Sequence, residues 1–239
     1  MNQIDNKKEK TPIFNLPFVV VGLVAVLWVV YGYEYFLLDE EKQSEFVFTF
    51  AFIPVLYLSL GELSSDWVQL IWSPFTHALM HASWEHLALN SVWLAIFGTP
   101  VARRYGAGVF LLVFFITALA GALFFALTTI PSIVLLIGAS GGVSGLTGVA
   151  IRFIFQPTQI VRDQDSGEVV AAFRLLASFS EMMKDVRARS FILVWVGLNA
   201  AVPLMAALFD FGAMNIAWQA HLGGFFAGLF IAPLLEKRG

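Results

Sequence analysis

Six stretches of this chain are apolar over lengths that leave few folding options. They run Pro17–Leu38, Ser83–Val101, Ala107–Thr128, Ser140–Phe155, Phe191–Phe209 and Trp218–Leu235. A helix of about 20 mainly apolar residues crosses the hydrocarbon core of a bilayer. No water in that medium can satisfy a free N–H or C=O, so each segment must close its own backbone hydrogen bonds, which a helix does. Composition agrees: 59% of the residues are hydrophobic and 13% charged, and mean hydropathy is +0.78. Soluble domains lie near about 45–50% and about 25%. The expected fold class is all-α, a polytopic membrane protein built as a six-transmembrane-helix bundle over 17–235. Short tails at 1–16 and 236–239 leave no room for a further soluble domain.

Charge sets the direction of threading. With the N-terminus inside, Lys7, Lys8, Lys10, Arg103, Arg104, Arg152, Arg162, Arg174, Lys184, Arg187, Arg189, Lys237 and Arg238 all fall on the cytoplasmic side. Lys42 alone falls outside, among Asp39, Glu40, Glu41, Glu45, Glu62 and Asp66. Basic residues mark cytoplasmic loops, so both termini are expected in the cytoplasm. There is no cysteine, which excludes disulfides and thiolate metal sites. A net charge of −3 gives no basic footprint for nucleic acid. The opening MNQIDNKKEKTP lacks a signal-peptide cleavage pattern.

Three connecting segments carry readings of their own. FVFTFAFIPVLYLSL (46–60) is too short to span comfortably and contains Pro54, so it is placed within an external interfacial loop, 39–82. Residues 129–139 are interrupted by Pro131 and glycine and read as a loop dipping into the protein. Glu168–Val186, inside a cytoplasmic loop 156–190, has apolar residues at helical spacing (Val169, Phe173, Leu176, Phe179, Met183). It predicts an amphipathic helix on the membrane surface, with Gly167 at the tip of the preceding turn.

The polar residues of the spans gather at one depth. GASGGVSGLTG (138–148) sets Ser140 among glycines at the outer end of the fourth span. Glycine is a poor helix former with nothing to pack, so here either two helices approach closely or the backbone bends around a site. Of the four histidines, His86 lies with Asn90 on one face of span two, and His221 lies near the outer end of span six. His77 and His81 precede span two and read as loop-anchoring or interfacial. Ionisable groups within spans are expensive and mark function. A serine hydroxyl needs a base to take its proton, and neutral imidazole can do so near neutral pH. An oxyanion needs aimed donors, which Asn90, His86 and the Ser140 N–H can offer. No carboxylate is placed to complete a triad: Asp210 ends span five and Glu85 points away from His86. A Ser-His dyad is the simpler arrangement. Ser144 and Thr147 are expected to bond back to their own helix. Trp28, Trp67, Trp72 and Trp218 read as interface or core aromatics.

Across roughly residues 70–235 the chain resembles the rhomboid intramembrane serine proteases. The marks are GASG (138–141), HALMHASWEHLALN (77–90) and AHLGGFFAG (220–228). The resemblance implies a rhomboid-like bundle with Ser140 as nucleophile and His221 as base. His86 and Asn90 would join the Ser140 amide in the oxyanion hole. Gly224 and Gly228 would press span six against Gly138, Gly141, Gly145 and Gly148, the small-residue packing that membrane helices use. It implies cleavage within the transmembrane segments of single-span membrane proteins, with the bilayer as surroundings and no metal or cofactor. The loop 210–217, with Phe211 and Met214, would act as a cap moving with span five. A multi-pass protein of a bacterial inner membrane fits this picture. Two positions depart from the family pattern. Ser73 follows Trp72 where an arginine is common. Ser144 stands four residues after the nucleophile, where many members place an aromatic beneath the histidine ring. The histidine must then be held some other way, or more loosely.

Other chemistries fit less well. HASWEH is not the HExxH of a metalloprotease. No pair of intramembrane aspartates is present for an aspartyl protease, and no repeats suggest a transporter. The remaining alternative is a weak or inactive rhomboid-like protein that binds membrane clients, although such relatives typically lack the serine or the histidine.

Overall fold

The computed structural model describes residues 15–57, 67–164, 166–209 and 217–236. These are mostly helical. In chain order they form α1 (Phe18–Leu37), α2 (Glu40–Phe50), α3 (Trp67–Thr76), α4 (Trp84–Trp93), α5 (Thr99–Thr129), α6 (Ser140–Ile154), α7 (Phe179–Lys184), α8 (Val186–Phe209) and α9 (Trp218–Ile231). Among the described residues three stretches are long and apolar enough to cross a membrane: Phe18–Leu37, Trp84–Thr129 and Trp218–Leu235.

The second of these is 46 residues long. As one straight rod it would reach about 69 Å at 1.5 Å per residue. Its two ends cannot lie that far apart. His86, near its start, packs on Gly138, and Thr129, its end, lies only a short loop before Gly138 in the chain. The chain turns at Gly106, whose φ of +81° falls in the left-handed region open to glycine. Gly98 then packs against the Phe110 ring across the turn.

α6 is the centre of the molecule. Every residue from Gly141 to Phe153 is buried, between α5 on one side and α9 on the other. Glycines make this sandwich tight. A Cβ at Gly142 would lie 2.7 Å from the Phe114 ring, and one at Gly145 would run into Thr117, both on α5. On the other side, a Cβ at Gly224 would strike the carbonyl of Gly141, one at Gly228 that of Gly145, and one at Gly148 that of Phe225. Backbone therefore meets backbone along α6 and α9, which small residues alone permit. Gly138 takes no part in that contact; it lies outside the helix, beside His86.

The end of the bundle away from Ser140 holds most of the described basic residues. Arg152 is 6% exposed and donates to the carbonyls of Ala177 and Leu229. Arg104 donates to Glu236 and to the carbonyl of Arg174. Arg103 reaches the carbonyl of Asn15. Asp185 starts α8 by accepting from the Arg187 and Ala188 amides. The Arg187 guanidinium beside it holds its carboxyl down at about 2.

Two expectations are corrected. The helix over Glu168–Val186 does not form. Val169–Arg174 is a strand, β2, paired antiparallel with β1 (Thr158–Arg162), and helix is confined to Phe179–Lys184. Consecutive Val169 and Val170 favour a pleated strand. Gly167, at φ +70°, supplies the left-handed residue of the connection. Ser178 and Glu181 form a reciprocal capping box that starts the helix only afterwards. Among the described residues this hairpin is the one sheet in a mostly helical fold. The stretch 46–57 also differs from a loop lying in the interface. It holds the end of α2 and a 3₁₀ turn at Pro54–Tyr57, and Ala51, Phe52 and Ile53 are buried in protein; residues 58–60 lie outside the described part.

Candidate active site

The approach to Ser140 is built from an extended strand held on both sides. Residues 130–139 are not helical. Leu136 exchanges two backbone hydrogen bonds with Phe52, at 2.8 and 3.1 Å, and the Gly138 amide donates to the carbonyl of His77 at 2.9 Å. His77 is itself buried, with its Nδ1 3.1 Å from the Ser73 carbonyl. Thus His77 is an anchor of this loop. α3 in turn grips α2: Trp72 Nε1 donates to Thr49 O at 3.0 Å, and Thr76 Oγ1 to Phe50 O at 2.9 Å. Ser73 pairs with the Tyr57 hydroxyl at 3.0 Å. Tyr57 gives its one proton to the Leu70 carbonyl at 2.8 Å and so accepts from Ser73. Several local bonds therefore tie the segment that precedes α4.

Ser140 is the first residue of α6, half-buried. Gly138 has φ +126°, and its missing side chain is the space the His86 ring uses. A Cβ there would lie 2.6 Å from His86 Cε1 and 2.9 Å from Nε2. The same point is 3.7 Å from Ser140 Oγ, so imidazole and hydroxyl flank one small volume. Ser83 caps α4 by accepting from the His86 amide at 3.2 Å, which fixes where His86 leaves the loop. Asn90, one turn on, is 5% exposed, and its Nδ2 has no hydrogen-bond partner among the described residues. His81 lies edge-on to His86 with ring centroids 5.1 Å apart, and both its ring nitrogens are buried without a partner among the described residues.

His221 reaches the same level on α9. It follows Ala220, whose carbonyl is 3.6 Å from the point a Gly141 Cβ would occupy, and Gly141 follows Ser140. Its ring is held by a residue that the sequence did not single out. His221 Nδ1 is 2.7 Å from Asn199 Oδ1 on α8, and Asn199 Nδ2 donates to the Trp195 carbonyl at 2.8 Å. One turn along, Trp195 stacks on Phe225 with ring centroids 4.3 Å apart. Asn199 sits where an apolar span gives no motif. A lone polar side chain inside an apolar span was the signal available; its pairing with His221 appears only in the fold. Thr147 bonds back to the Val143 carbonyl at 2.9 Å. The cap residues Asp210, Phe211 and Met214 lie outside the described part, as do Lys7, Lys8, Lys10, Glu62, Asp66, Lys237 and Arg238.

A bundle of long apolar helices, with Ser140 and His86 flanking one space at a glycine-lined helix start, defines a helical membrane protein. The comparisons narrow this. The family model described as Rhomboid domain matches residues 68–238. The chain is 27% identical over 165 residues to Rhomboid protease GluP of Bacillus subtilis, an alignment covering 69% of this chain and 26% of GluP. It is 30% identical over 123 residues to a second protein of that strain, YdcA, covering 51% of this chain and 59% of the relative. The match thus spans about a quarter of GluP and three fifths of YdcA. The chain belongs to the rhomboid family of membrane proteins.

Proposed function

We propose that this chain is an intramembrane serine endopeptidase that cuts the transmembrane segments of single-span membrane proteins with Ser140 and His221. The observation that carries the reading is the shared placement at the start of α6. Ser140 Oγ and the His86 ring flank one space, and the close α6–α9 packing, which brings the Ala220 carbonyl up to Gly141, supports His221 as the base. His221 takes the Ser140 proton as Oγ attacks the scissile carbonyl. The oxyanion then receives hydrogen bonds from the Ser140 amide, His86 and Asn90, whose Nδ2 has none to give up. The proton passes to the leaving amine, and water, activated by the same imidazole, releases the acyl group. This chemistry draws on no metal or cofactor.

Six crossings follow from the turn at Gly106, with α6 and α8 added to the three long apolar stretches. The basic residues at the end away from Ser140 support both termini in the cytoplasm, and the relatives support a bacterial cell membrane. An apolar groove of about 310 Å³ between α4 and α8, lined by Trp93, Ser190, Phe191, Val194, Trp195 and Leu198, is where a substrate helix would enter from lipid as α8 moves.

The test is cleavage of tagged single-span substrates in reconstituted vesicles. Wild type is expected to cut, and Ser140→Ala and His221→Ala to be inactive, with a fluorophosphonate labelling Ser140 in wild type. No cleavage of any of several substrates together with no labelling would refute the protease and leave a client-binding protein.

A further inference from the structure

We propose that Asn199 is the third member of the site, a positioning residue that fixes the tautomer and orientation of His221 and makes the base depend on where α8 lies. The inference rests on His221 being the base.

The hydrogen-bond directions can be read from Asn199. Its Nδ2 donates to the Trp195 carbonyl, which can only accept. The other end of the amide, Oδ1, therefore faces His221, and it too can only accept. At 2.7 Å the shared proton must sit on His221 Nδ1. Nε2 is then left with a free lone pair, the form a base needs to receive the Ser140 proton. When it does, the imidazolium keeps its Nδ1–H bond to the amide oxygen, and Nε2 returns the proton to the leaving amine. The cysteine–histidine–asparagine sites of papain-like proteases orient an imidazole with a neutral amide in the same manner.

The position has a structural reason. Ser144, one turn beyond Ser140 on α6, has no ring to lay against His221. Support comes instead from the neighbouring helix. Asn199 and Trp195 make a matched pair with His221 and Phe225, so the bond that orients the base also forms part of the α8–α9 contact. α8 is fastened at its other end by Arg187, which donates to the Phe155 carbonyl at 2.6 Å, and by buried Ile192. Its Leu193, Val194 and Leu198 are exposed. An outward swing of α8 to admit substrate breaks the Asn199 bond, and its return restores the base.

The experiment compares wild type with Asn199→Ala, Asn199→Asp and Asn199→Leu in vesicles. Cleavage kinetics is one readout, and ¹⁵N NMR of histidine-labelled protein at pH 8 is the other, with His221 assigned by its loss in His221→Gln. His86 is the titratable neighbour of His221 among the described residues, so its signal is followed too. Wild type should show a protonated Nδ1 and a bare Nε2 at His221. Asn199→Ala and Asn199→Leu should lose this preference and at least tenfold in kcat with KM little changed, in the direction of the roughly 10⁴-fold cost of a wrongly set tautomer in a serine protease. Asn199→Asp should keep activity and move the acid limb of the rate profile up by about one pH unit or more, because a carboxylate favours the protonated ring. An Nε2–H tautomer in wild type overturns the proposal, as does a change confined to KM in all three variants. The correct tautomer in a wild type that cleaves nothing overturns the protease reading and leaves the role of Asn199 in holding the ring.

Discussion

At the scale of single residues, the site combines groups that are satisfied with groups left waiting. Asn199 spends both ends of its amide, on Trp195 and His221. Asn90 is as buried as a core residue and has no partner for Nδ2. A buried donor left unpaired costs roughly 1–3 kcal/mol, a cost that a developing oxyanion would remove only in the transition state. Asn90→Ala should therefore lower kcat by about 10²–10³, the loss seen when one oxyanion-hole donor is removed from a serine protease, without lowering thermal stability. Steady-state cleavage and a thermal melt of the same preparations check it. A melt that falls as far as the rate does would make Asn90 a structural residue instead. Ser140, His86, Asn90 and His221 are legible in sequence because few polar side chains enter these spans and each costs energy there. Asn199 is polar too, but its meaning depends on which residue lies opposite it on another helix, and no local spacing encodes that.

At the scale of elements, the glycines divide by what they face. Gly148 and Gly228 hold backbone against backbone, whereas a Cβ at Gly22 or Gly197 would meet nothing within 4 Å. Gly148→Ala and Gly228→Ala should each destabilise by about 1–3 kcal/mol, as overpacking does, and cut activity by parting α6 from α9. Gly22→Ala and Gly197→Ala should be neutral or stabilise by up to about 1 kcal/mol, since glycine is unfavourable inside a helix. Denaturant titration in mixed micelles separates the two groups, and equal losses at all four positions would remove the close-approach explanation. Long apolar helices were readable because length and hydropathy alone decide them. The hairpin at 158–174 was not. Val169, Phe173 and Leu176 fit a helical stripe, but a short segment fits strand spacing as well. The Ser178 capping box and the antiparallel partner at Thr158–Arg162 decide between them.

At the scale of the whole molecule, α6 and α8 are packed unequally. The contacts of α6 with α5 and α9 hold Ser140 and His221 at one level and must stay shut. α8 touches the core mainly through α9 and borders α4 across an apolar groove, so parting it from α4 would leave the α6–α9 contact intact. This predicts that access and chemistry can be separated. The chain has no cysteine, so cysteines placed at Trp93 and Leu198, on the two walls of the groove, can be joined by a bifunctional thiol reagent without background. Bridged protein should lose cleavage of a transmembrane substrate at least tenfold. Labelling of Ser140 by a small fluorophosphonate should persist, because the bridge holds α8 where Asn199 meets His221. The unbridged double variant controls for the loss of Trp93. Loss of both activities on bridging would mean that the bridge distorts the site. Retention of both would mean that substrate reaches Ser140 without parting α4 from α8, and the entry route would then have to lie on another side of the bundle.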